Sequence, residues 1–340
     1  MRKLNVLVAG STGYIGVQLV KLLNKHPNIN IKYLCGNSSV GKNISFFDKD
    51  LKNKKLPKIV KFNKSYLKKV DVIFTALPNG EAQLLSKHLL EKNRLIDLAA
   101  DFRLSNPKEY KRWYKINHKA KYNIKNSIYA LPEIKRKHLK DYKIIGCPGC
   151  YPTSILLPLI PLLKKNLISH QNIIIDSKSG YSGAGRGIHK KYAKKNLDES
   201  LSAYGVGLHR HNSEIHQEIS KVCKKQFDFS FTPHLTPMFR GILSTIYVDK
   251  PKDFSAKKIF NSLKKAYKND IFIKFSKFNK PISTNDVINT NNCLISVCES
   301  KYEKKLIILS AVDNLIKGGS GQGVQNMNII YDFPETRGLK

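Results

Sequence analysis

The sequence predicts an α/β protein in which a doubly wound parallel sheet is followed by a second, mixed α+β domain. The chain opens with a short apolar segment, a glycine-rich turn and an amphipathic segment, a succession typical of a strand, a loop and a helix. Strand-like and helix-like segments then alternate as far as Gly149. Beyond that residue the strand-like segments are mostly longer and fewer helices separate them. A chain of 340 residues is long enough for two such domains.

The first segments carry a glycine pattern. Leu4–Ala9 is a predicted strand, and the turn Gly10-Ser-Thr-Gly-Tyr-Ile-Gly16 leads into a predicted helix at Val17–Asn24. A second strand is predicted at Ile31–Cys35. Glycines at this spacing allow a tight turn, a close approach of the backbone to a pyrophosphate and close packing of the helix. We therefore predict a Rossmann-type dinucleotide site, with these loop residues: Gly10, Ser11, Thr12, Gly13, Tyr14, Ile15 and Gly16.

The alternation continues along the first domain. Further strands are predicted at Val70–Ala76, Arg94–Ala99 and Ile144–Ile145, with a helix at Leu84–Glu91. The lysine-rich stretch Lys49–Lys69 is expected to be a solvated excursion.

The second domain is expected to contain longer strands. They are predicted at Ile173–Asp176, Gly241–Val248, Asn292–Cys298 and Lys305–Ala311. The expected domain ranges are 1–149 with 315–340 for the dinucleotide-binding domain, and 150–314 for the second domain.

The end of the second strand indicates which dinucleotide is bound. An NAD site usually carries Asp or Glu there for the ribose hydroxyls. This chain instead reads Gly36-Asn-Ser-Ser-Val-Gly-Lys42. Because Ser38, Ser39 and Lys42 suit a 2′-phosphate, the sequence favours NADP(H).

Cys150 is the candidate nucleophile. It lies in Gly146-Cys-Pro-Gly-Cys-Tyr-Pro-Thr153, and we expect a helix to begin just after the thiol, with Pro152 at its first position. Such a helix start favours the thiolate, which is the reactive form. Two alternatives are a small buried cysteine and a redox dithiol formed with Cys147, although redox dithiols usually follow a thioredoxin-type strand.

The net charge of the chain is strongly positive, but its distribution does not indicate a nucleic-acid partner. The formal net charge is +35, which would fit a nucleic-acid partner. However, the lysines are spread over nearly every exposed-looking segment, with no arginine-rich stripe, aromatic ladder or zinc-finger spacing. We therefore expect no nucleic-acid partner, and a basic NADP-sensing or nucleic-acid-binding regulator is the remote alternative.

The cysteines and apolar segments indicate the compartment. Six cysteines contain no second Cys-x2-Cys half, so we expect no metal site, and few cysteines without a secretory segment favour a reducing, cytoplasmic location. The apolar run Ile155–Leu163 is interrupted by Pro158 and Pro161, so we expect no membrane association.

Several polar clusters share one explanation. They are Asp97–Arg103, Ala130–Glu133, Ser179–Arg186, His209–Ile215, Thr232–Gly241 and Asp313–Asn328. With the glycine loop and the Cys150 turn, they resemble the N-acetyl-gamma-glutamyl-phosphate reductase family (type 1) nearly end to end. Aspartate-semialdehyde dehydrogenases share the fold and the cysteine chemistry and are the nearer alternative. A short-chain dehydrogenase would need Tyr-x-x-x-Lys, which none of the 16 tyrosines provides.

The resemblance implies a catalytic and dimerisation domain of the semialdehyde-dehydrogenase type and an acyl-phosphate substrate. It further implies that Cys150 forms a thioester, that His211 is the general acid/base with Glu214 orienting it, and that the protein is a homotetramer or homodimer. His209 is the competing histidine. Expected substrate-binding residues are Arg103, Ser179, Arg186, Arg210 and Arg240. Further expected cofactor-binding residues are Pro78, Ser182, Gly183, Asn314, Gly318, Gly319 and Gln322. Cys147, Gly319 and Gly323 depart from the family's usual Asn, Ala and Ala.

Overall fold

The structure, a computed structural model, describes residues 3–187, 199–223 and 226–340. The chain divides into two compact units. The first unit holds Met1–Gly149 and Gly319–Lys340, and the second holds Cys150–Gly318. Over the described ranges, no helix combines the length and apolar character that crossing a membrane requires.

The first unit is built on a parallel sheet that has seven strands within the described residues. The strands are β1 (Leu4–Ala9), β2 (Ile29–Cys35), β3 (Ile59–Val60), β4 (Val72–Thr75), β5 (Arg94–Asp97), β6 (Ser127–Tyr129) and β7 (Ile144–Gly146). Their order is β3-β2-β1-β4-β5-β7-β6, and every pair is parallel. The doubly wound sheet predicted from the sequence is therefore present. The order reverses between β1 and β4, and ligands of such sheets bind at the carboxyl ends of the strands beside this point.

Helices surround this sheet. They are α1 (Tyr14–Lys25), α2 (Glu81–Ser86), α3 (Pro107–Tyr114), α4 (Lys121–Ile124), α5 (Pro132–Lys135) and, near the carboxyl terminus, α9 (Gly321–Ile330). The helix predicted at Leu84–Glu91 is misplaced, because it begins at Glu81. Gly80 precedes it with φ +94°, and the Asp101 carboxylate accepts hydrogen bonds from the N–H groups of Gly80 and Gln83. A residue distant in sequence therefore sets the start of α2.

The prediction for Lys49–Lys69 is also wrong. Ile59–Val60 forms β3, which extends the sheet beyond β2, and 3-10 turns occupy Lys49–Leu51 and Lys64–Lys69. Ile59 is fully buried, and Leu67 is nearly so. The lysines keep to the exposed positions of a segment that is part of the fold.

The second unit is built on a mixed sheet, also of seven strands within the described residues. The strands are β8 (Ile173–Gly180), β9 (Ser202–Ala203), β10 (Phe229–Thr236), β11 (Ile242–Asp249), β12 (Ile273–Phe275), β13 (Cys293–Glu299) and β14 (Lys305–Val312). Their order is β12-β13-β14-β11-β8-β10-β9, with β8/β10 and β12/β13 parallel and the other pairs antiparallel. The mixed α+β character predicted for this part is present. β8 runs four residues further than predicted, so Ser179 and Gly180 lie in a strand.

Helices α6 (Cys150–Lys164), α7 (His211–Ser220) and α8 (Ala256–Ala266) belong to this unit. α6 packs on the central strands, where the hydroxyl of Ser154 lies 2.7 Å from that of Ser244 on β11. The opposite face carries Ile174, Tyr247 and Ile307, which are in register on adjacent strands. Ile174 is 48% exposed and Tyr247 39% exposed. Large apolar side chains therefore face solvent on this side of the sheet.

α6 begins at Cys150 itself, two residues before the predicted first position at Pro152. Pro152 is its third residue and still interrupts no hydrogen bond, because the first four N–H groups of a helix have no intrahelical acceptor. Further along, Pro161 cannot donate to the carbonyl of Leu157. The hydroxyl of Tyr267 donates to that oxygen at 2.5 Å. A side chain that follows α8 thus replaces the bond that the proline removes.

Candidate active site

The glycine loop of the first unit connects β1 to α1 with very little space around it. Gly10 has φ +83°, and a Cβ added there would lie 2.3 Å from the carbonyl oxygen of Ala76. At Gly16 an added Cβ would lie 2.1 Å from the carbonyl oxygen of Gly10. Only glycine fits at either position, so the loop stays close to the ends of β1 and β4.

A cavity of about 580 Å³ opens above this loop. Of the predicted residues, Gly10, Thr12, Gly13, Ser38 and Pro78 line it. Sequence reasoning missed these further lining residues: Ala9, Cys35, Gly36, Asn37, Phe62, Ala76, Leu77, Glu81, Leu84, Leu85 and His88. Most lie at or just after the carboxyl ends of β1, β2 and β4, or on or just after α2. The predicted doubly wound sheet could have indicated this position.

The remaining predicted loop residues have other surroundings. Ser11 is fully buried, with its hydroxyl 3.3 Å from the carbonyl oxygen of Cys35, while Tyr14, Ile15 and Gly16 form the first turn of α1. Ser39 is buried. The Lys42 ammonium lies 4.4 Å from the centre of the Phe46 ring and lines a neighbouring pocket. Ser38 is thus the predicted 2′-phosphate residue that faces the cavity directly.

The predicted cofactor residues of the second unit form a hydrogen-bonded group. The Asn314 amide donates to the Ser182 hydroxyl at 2.9 Å, and its oxygen accepts the Gly241 N–H at 2.7 Å. A Cβ added at Gly183 would lie 3.5 Å from the Asn314 amide nitrogen. In the first unit, Gln322 is buried in the first turn of α9. Gly319 lies in the π-helical turn Ile316–Ser320.

Cys150 is the first residue of α6 and is partly exposed. A Cβ added at Gly318 would lie 2.7 Å from the Cβ of Cys150, so any larger residue there would displace the cysteine. The N–H of Gly318 donates to the carbonyl oxygen of Asp313 at 2.9 Å. The close contact with Gly318 restricts the position of the Cys150 side chain. The start of α6 provides backbone N–H groups, which favour a negative charge on the Cys150 sulfur.

Cys147 has the opposite surroundings. It is buried, and burial raises the pKa of its thiol to about 12. Its carbonyl oxygen accepts a hydrogen bond from Arg103 Nε at 2.8 Å, and its N–H donates to the carbonyl oxygen of Asp97 at 2.8 Å. Arg103 Nη2 also donates to the carbonyl oxygen of Leu98. Arg103 therefore stabilises the turn that precedes Cys150 through hydrogen bonds to backbone carbonyls.

His211 is the first residue of α7 and is 8% exposed. Its Nε2 lies 3.8 Å from Oε1 of Glu214, which is fully buried one helical turn further on. The His211 ring is tilted at 69° to that of Tyr151, with the centroids 5.8 Å apart. The structure thus brings the predicted acid/base, its predicted partner and the residue after the nucleophile together within the second unit.

The predicted anion-binding side chains of this unit differ in setting. Arg240 donates through Nη1 to Asp313 at 3.2 Å and also to Asn289. Ser179 is buried and Thr236 donates to its carbonyl oxygen. Arg186 and Arg210 are exposed. Among the described residues, no cluster of three or more metal-ligating side chains is present.

Comparison with known proteins is consistent along the whole chain. Residues 5–142 match the family model described as semialdehyde dehydrogenase, NAD binding domain, and residues 150–314 match the semialdehyde dehydrogenase dimerisation domain. A "probable N-acetyl-gamma-glutamyl-phosphate reductase, chloroplastic" of Arabidopsis thaliana is 40% identical over 99% of this chain and 84% of its own length. The N-acetyl-gamma-glutamyl-phosphate reductase of Thermoanaerobacter pseudethanolicus is 42% identical over 98% of this chain and 96% of its own.

Solved structures share the fold at low identity. Aspartate semialdehyde dehydrogenase II of Vibrio cholerae, complexed with ASA, matches with a TM-score of 0.72 at 16% identity over 98% of this chain and 99% of its own. The aspartate semialdehyde dehydrogenase of Candida albicans, solved with NADP, matches with a TM-score of 0.69 at 17% identity. The match covers 97% of this chain and 98% of its own. The predicted fold class is thereby confirmed.

Proposed function

The chain belongs to the N-acetyl-gamma-glutamyl-phosphate reductase family, and on that premise we propose that it reduces N-acetyl-L-glutamyl 5-phosphate with NADPH. The products are N-acetyl-L-glutamate 5-semialdehyde and phosphate, in arginine biosynthesis. The structural observation that supports the proposal is the position of Cys150. It is partly exposed at the first position of α6 and packs against Gly318. That placement suits a nucleophile attacking an acyl phosphate.

The first unit fits a dinucleotide. The close approaches at Gly10 and Gly16 leave backbone next to the cavity, where a pyrophosphate would lie, and α1 begins directly after Gly13, which lines the cavity. Ser38 faces the cavity and residues 36–42 contain no carboxylate, which supports NADP(H) over NAD(H). When bound, NADPH supplies the hydride. We propose 1–149 with 315–340 as the NADP-binding domain and 150–314 as the catalytic and oligomerisation domain.

Cys150 carries the covalent chemistry. Its thiolate attacks the acyl carbon, the C–O bond to phosphate breaks, and a thioester and free phosphate result. After reduction of the thioester carbonyl, the C–S bond breaks, the aldehyde leaves and the thiolate is restored. The partial positive charge at the start of α6 stabilises the thiolate at both ends of this cycle.

His211 exchanges the protons of this cycle in the proposal. It takes the thiol proton of Cys150 before attack and holds a proton for the oxygen of the tetrahedral species. Glu214, 3.8 Å from His211 Nε2, would orient the ring and stabilise its charged form. Arg103, Ser179, Arg186, Arg210 and Arg240 are the proposed substrate-binding set, because arginine holds carboxylate and phosphate groups through paired hydrogen bonds.

The protein is proposed to be a homodimer or homotetramer in the cytoplasm. Support for assembly comes from the dimerisation-domain match and from the exposed apolar face of β8 and β11. Support for a reducing compartment comes from its six cysteines, all of which are free.

The proposal is tested in the reverse direction with N-acetylglutamate semialdehyde, phosphate and NADP, following NADPH absorbance. Cys150→Ser should lower kcat by about 10³-fold or more, and His211→Asn by about 10² to 10⁴-fold, with NADP binding retained. Cys298→Ser is the matched cysteine control and should behave as the unsubstituted protein. Aspartate semialdehyde should be used at least about 10²-fold less efficiently. Equal use of the two aldehydes would contradict the substrate assignment but leave the cysteine mechanism intact.

A further inference from the structure

The start of α7 is held by His209, two residues before the proposed acid/base. The N–H of His211 donates to His209 Nδ1 at 3.2 Å, and the N–H of Asn212 donates to the His209 carbonyl oxygen at 2.9 Å. Arg210, which occupies the N-cap position, makes no side-chain cap hydrogen bond. His209 therefore provides acceptors for the first two N–H groups of the helix that carries His211 and Glu214.

The ring of His209 is fixed by aromatic neighbours. Its centroid lies 5.6 Å from that of Tyr151, 5.4 Å from that of Tyr204 and 5.6 Å from that of Phe231, each in an edge-on arrangement. The His211 ring is 4.7 Å away at 73°. Rotation of the His209 ring would break these contacts, so Nδ1 is kept directed at the helix backbone.

The hydrogen bond to Nδ1 requires one protonation state. An imidazole nitrogen accepts a hydrogen bond only in the neutral ring, so the His209 proton is on Nε2. Burial, and then the charge of Arg210, lowers the His209 pKa to about 4. A cation at the start of a helix is also unfavourable. His209 thus stays neutral, and keeps its acceptor, across the neutral pH range.

We propose that His209 is a positioning residue, whose neutral ring holds the start of α7 and fixes the orientation in which His211 exchanges protons. The role rests on the proposed function, because His211 is catalytic only there. The two histidines of the His-Arg-His sequence then have different roles: His211 exchanges protons during turnover, and His209 remains neutral.

Three variants test the role in turnover. His209→Leu removes the acceptor and should lower kcat by about 10- to 100-fold, with little change in KM for the cofactor. His209→Asn keeps an oxygen that can accept the N–H two residues on, and should recover activity to within about fivefold of the unsubstituted protein. His216→Leu makes the same change at an exposed position of α7 and should have no effect on kcat.

The pH profile distinguishes positioning from simple support of the fold. His209→Leu should displace the limb of the kcat profile that reports the acid/base, whereas His209→Asn should leave it in place. Equal impairment of the two variants, or an unchanged profile with a loss only of folded protein, would overturn the proposal.

A second measurement needs no substrate. In protein labelled at histidine, NMR should show the His209 ring neutral, protonated at Nε2, down to about pH 4. Titration of His209 near its ordinary value, or a proton on Nδ1, would overturn the positioning role. Lack of turnover by the unsubstituted protein would instead contradict the proposed function, so the two failures are distinguishable.

Discussion

At the scale of single residues, two cysteines three positions apart have unlike chemistry. Cys147 has its backbone N–H and carbonyl both hydrogen-bonded and its thiol buried, with the Asn326 amide 3.6 Å from the sulfur. Cys150 is partly exposed at a helix start. The sequence offered both as candidates, because spacing alone does not reveal burial. The structure separates them by environment.

Alkylation should reveal this difference. With the pKa of Cys147 raised to about 12 by burial, only about one thiol in 10⁴ is ionised at pH 8. Iodoacetamide at that pH should therefore label Cys150 in the native protein and Cys147 only after denaturation, measured by peptide mass spectrometry. Cys147→Ala should keep activity within several-fold. Comparable native labelling of both cysteines would revive the redox dithiol.

Asp97 should give an unusual pH dependence of stability. It is fully buried, and burial, followed by the charge of Asp101, raises its pKa to about 6. The pKa of Asp in the unfolded chain is about 3.9, so ionisation of Asp97 destabilises the folded protein. This destabilisation is fully present above about pH 6 and is lost as the pH falls towards 4. Asp97→Asn should therefore stabilise the protein more at pH 8 than at pH 5, by about 1–2 kcal/mol in urea unfolding. A smaller gain at pH 8 than at pH 5 would contradict this assignment.

At the scale of secondary-structure elements, the elements set by local patterns could be predicted from the sequence, and those set by distant contacts could not. β1 was predicted at its observed bounds because an apolar run followed by Gly10 is a local pattern. α2 was misplaced because its start depends on Asp101, 21 residues away from Gly80. Phe62 was missed as a lining residue of the cavity above the glycine loop because it follows a two-residue strand in a lysine-rich stretch.

The residues of the candidate site show the same difference between local motifs and distant contacts. Residue types and their order were enough to propose Cys150 and His211 as catalytic residues, since their sequence motifs are local. No sequence pattern indicated that Lys42 would stack on Phe46, or that Arg240 would pair with buried Asp313. At Gly323, where the family usually has Ala, an added Cβ would lie 2.7 Å from Leu98 Cδ2, so the surrounding packing favours glycine.

α6 gives a prediction at this scale. Tyr267→Phe would leave the Leu157 carbonyl, freed by Pro161, without its hydroxyl donor inside the second unit. The expected cost is about 1–3 kcal/mol in the free energy of unfolding, measured by urea with an unchanged slope. Tyr302→Phe, at a tyrosine that is 73% exposed, is the matched control and should be neutral. Equal stability of the two variants would mean that this carbonyl has another donor.

At the scale of the whole molecule, charge and assembly oppose each other. The chain carries 60 Lys and Arg against 25 Asp and Glu, so two copies repel at low ionic strength. Salt near 0.15 M limits that repulsion to about 8 Å. An apolar contact can then dominate association, because burial of apolar area does not depend on screening. The row of Ile174, Tyr247 and Ile307 is the candidate for that contact.

The double substitution Ile174→Glu with Tyr247→Lys should therefore dissociate the assembly. The two positions are in register on adjacent strands, so the new charges can pair within one subunit and preserve the sheet. Burying the same charges between subunits would cost several kcal/mol, more than the apolar contact regains. Sedimentation velocity at about 0.15 M salt should show a smaller species for the variant than for the unsubstituted protein: the 38.7 kDa monomer in place of a dimer, or a dimer in place of a tetramer. Tyr302→Lys adds a charge to an exposed position of the same unit and should leave assembly unchanged. An intact oligomer of the double variant would place the contact elsewhere.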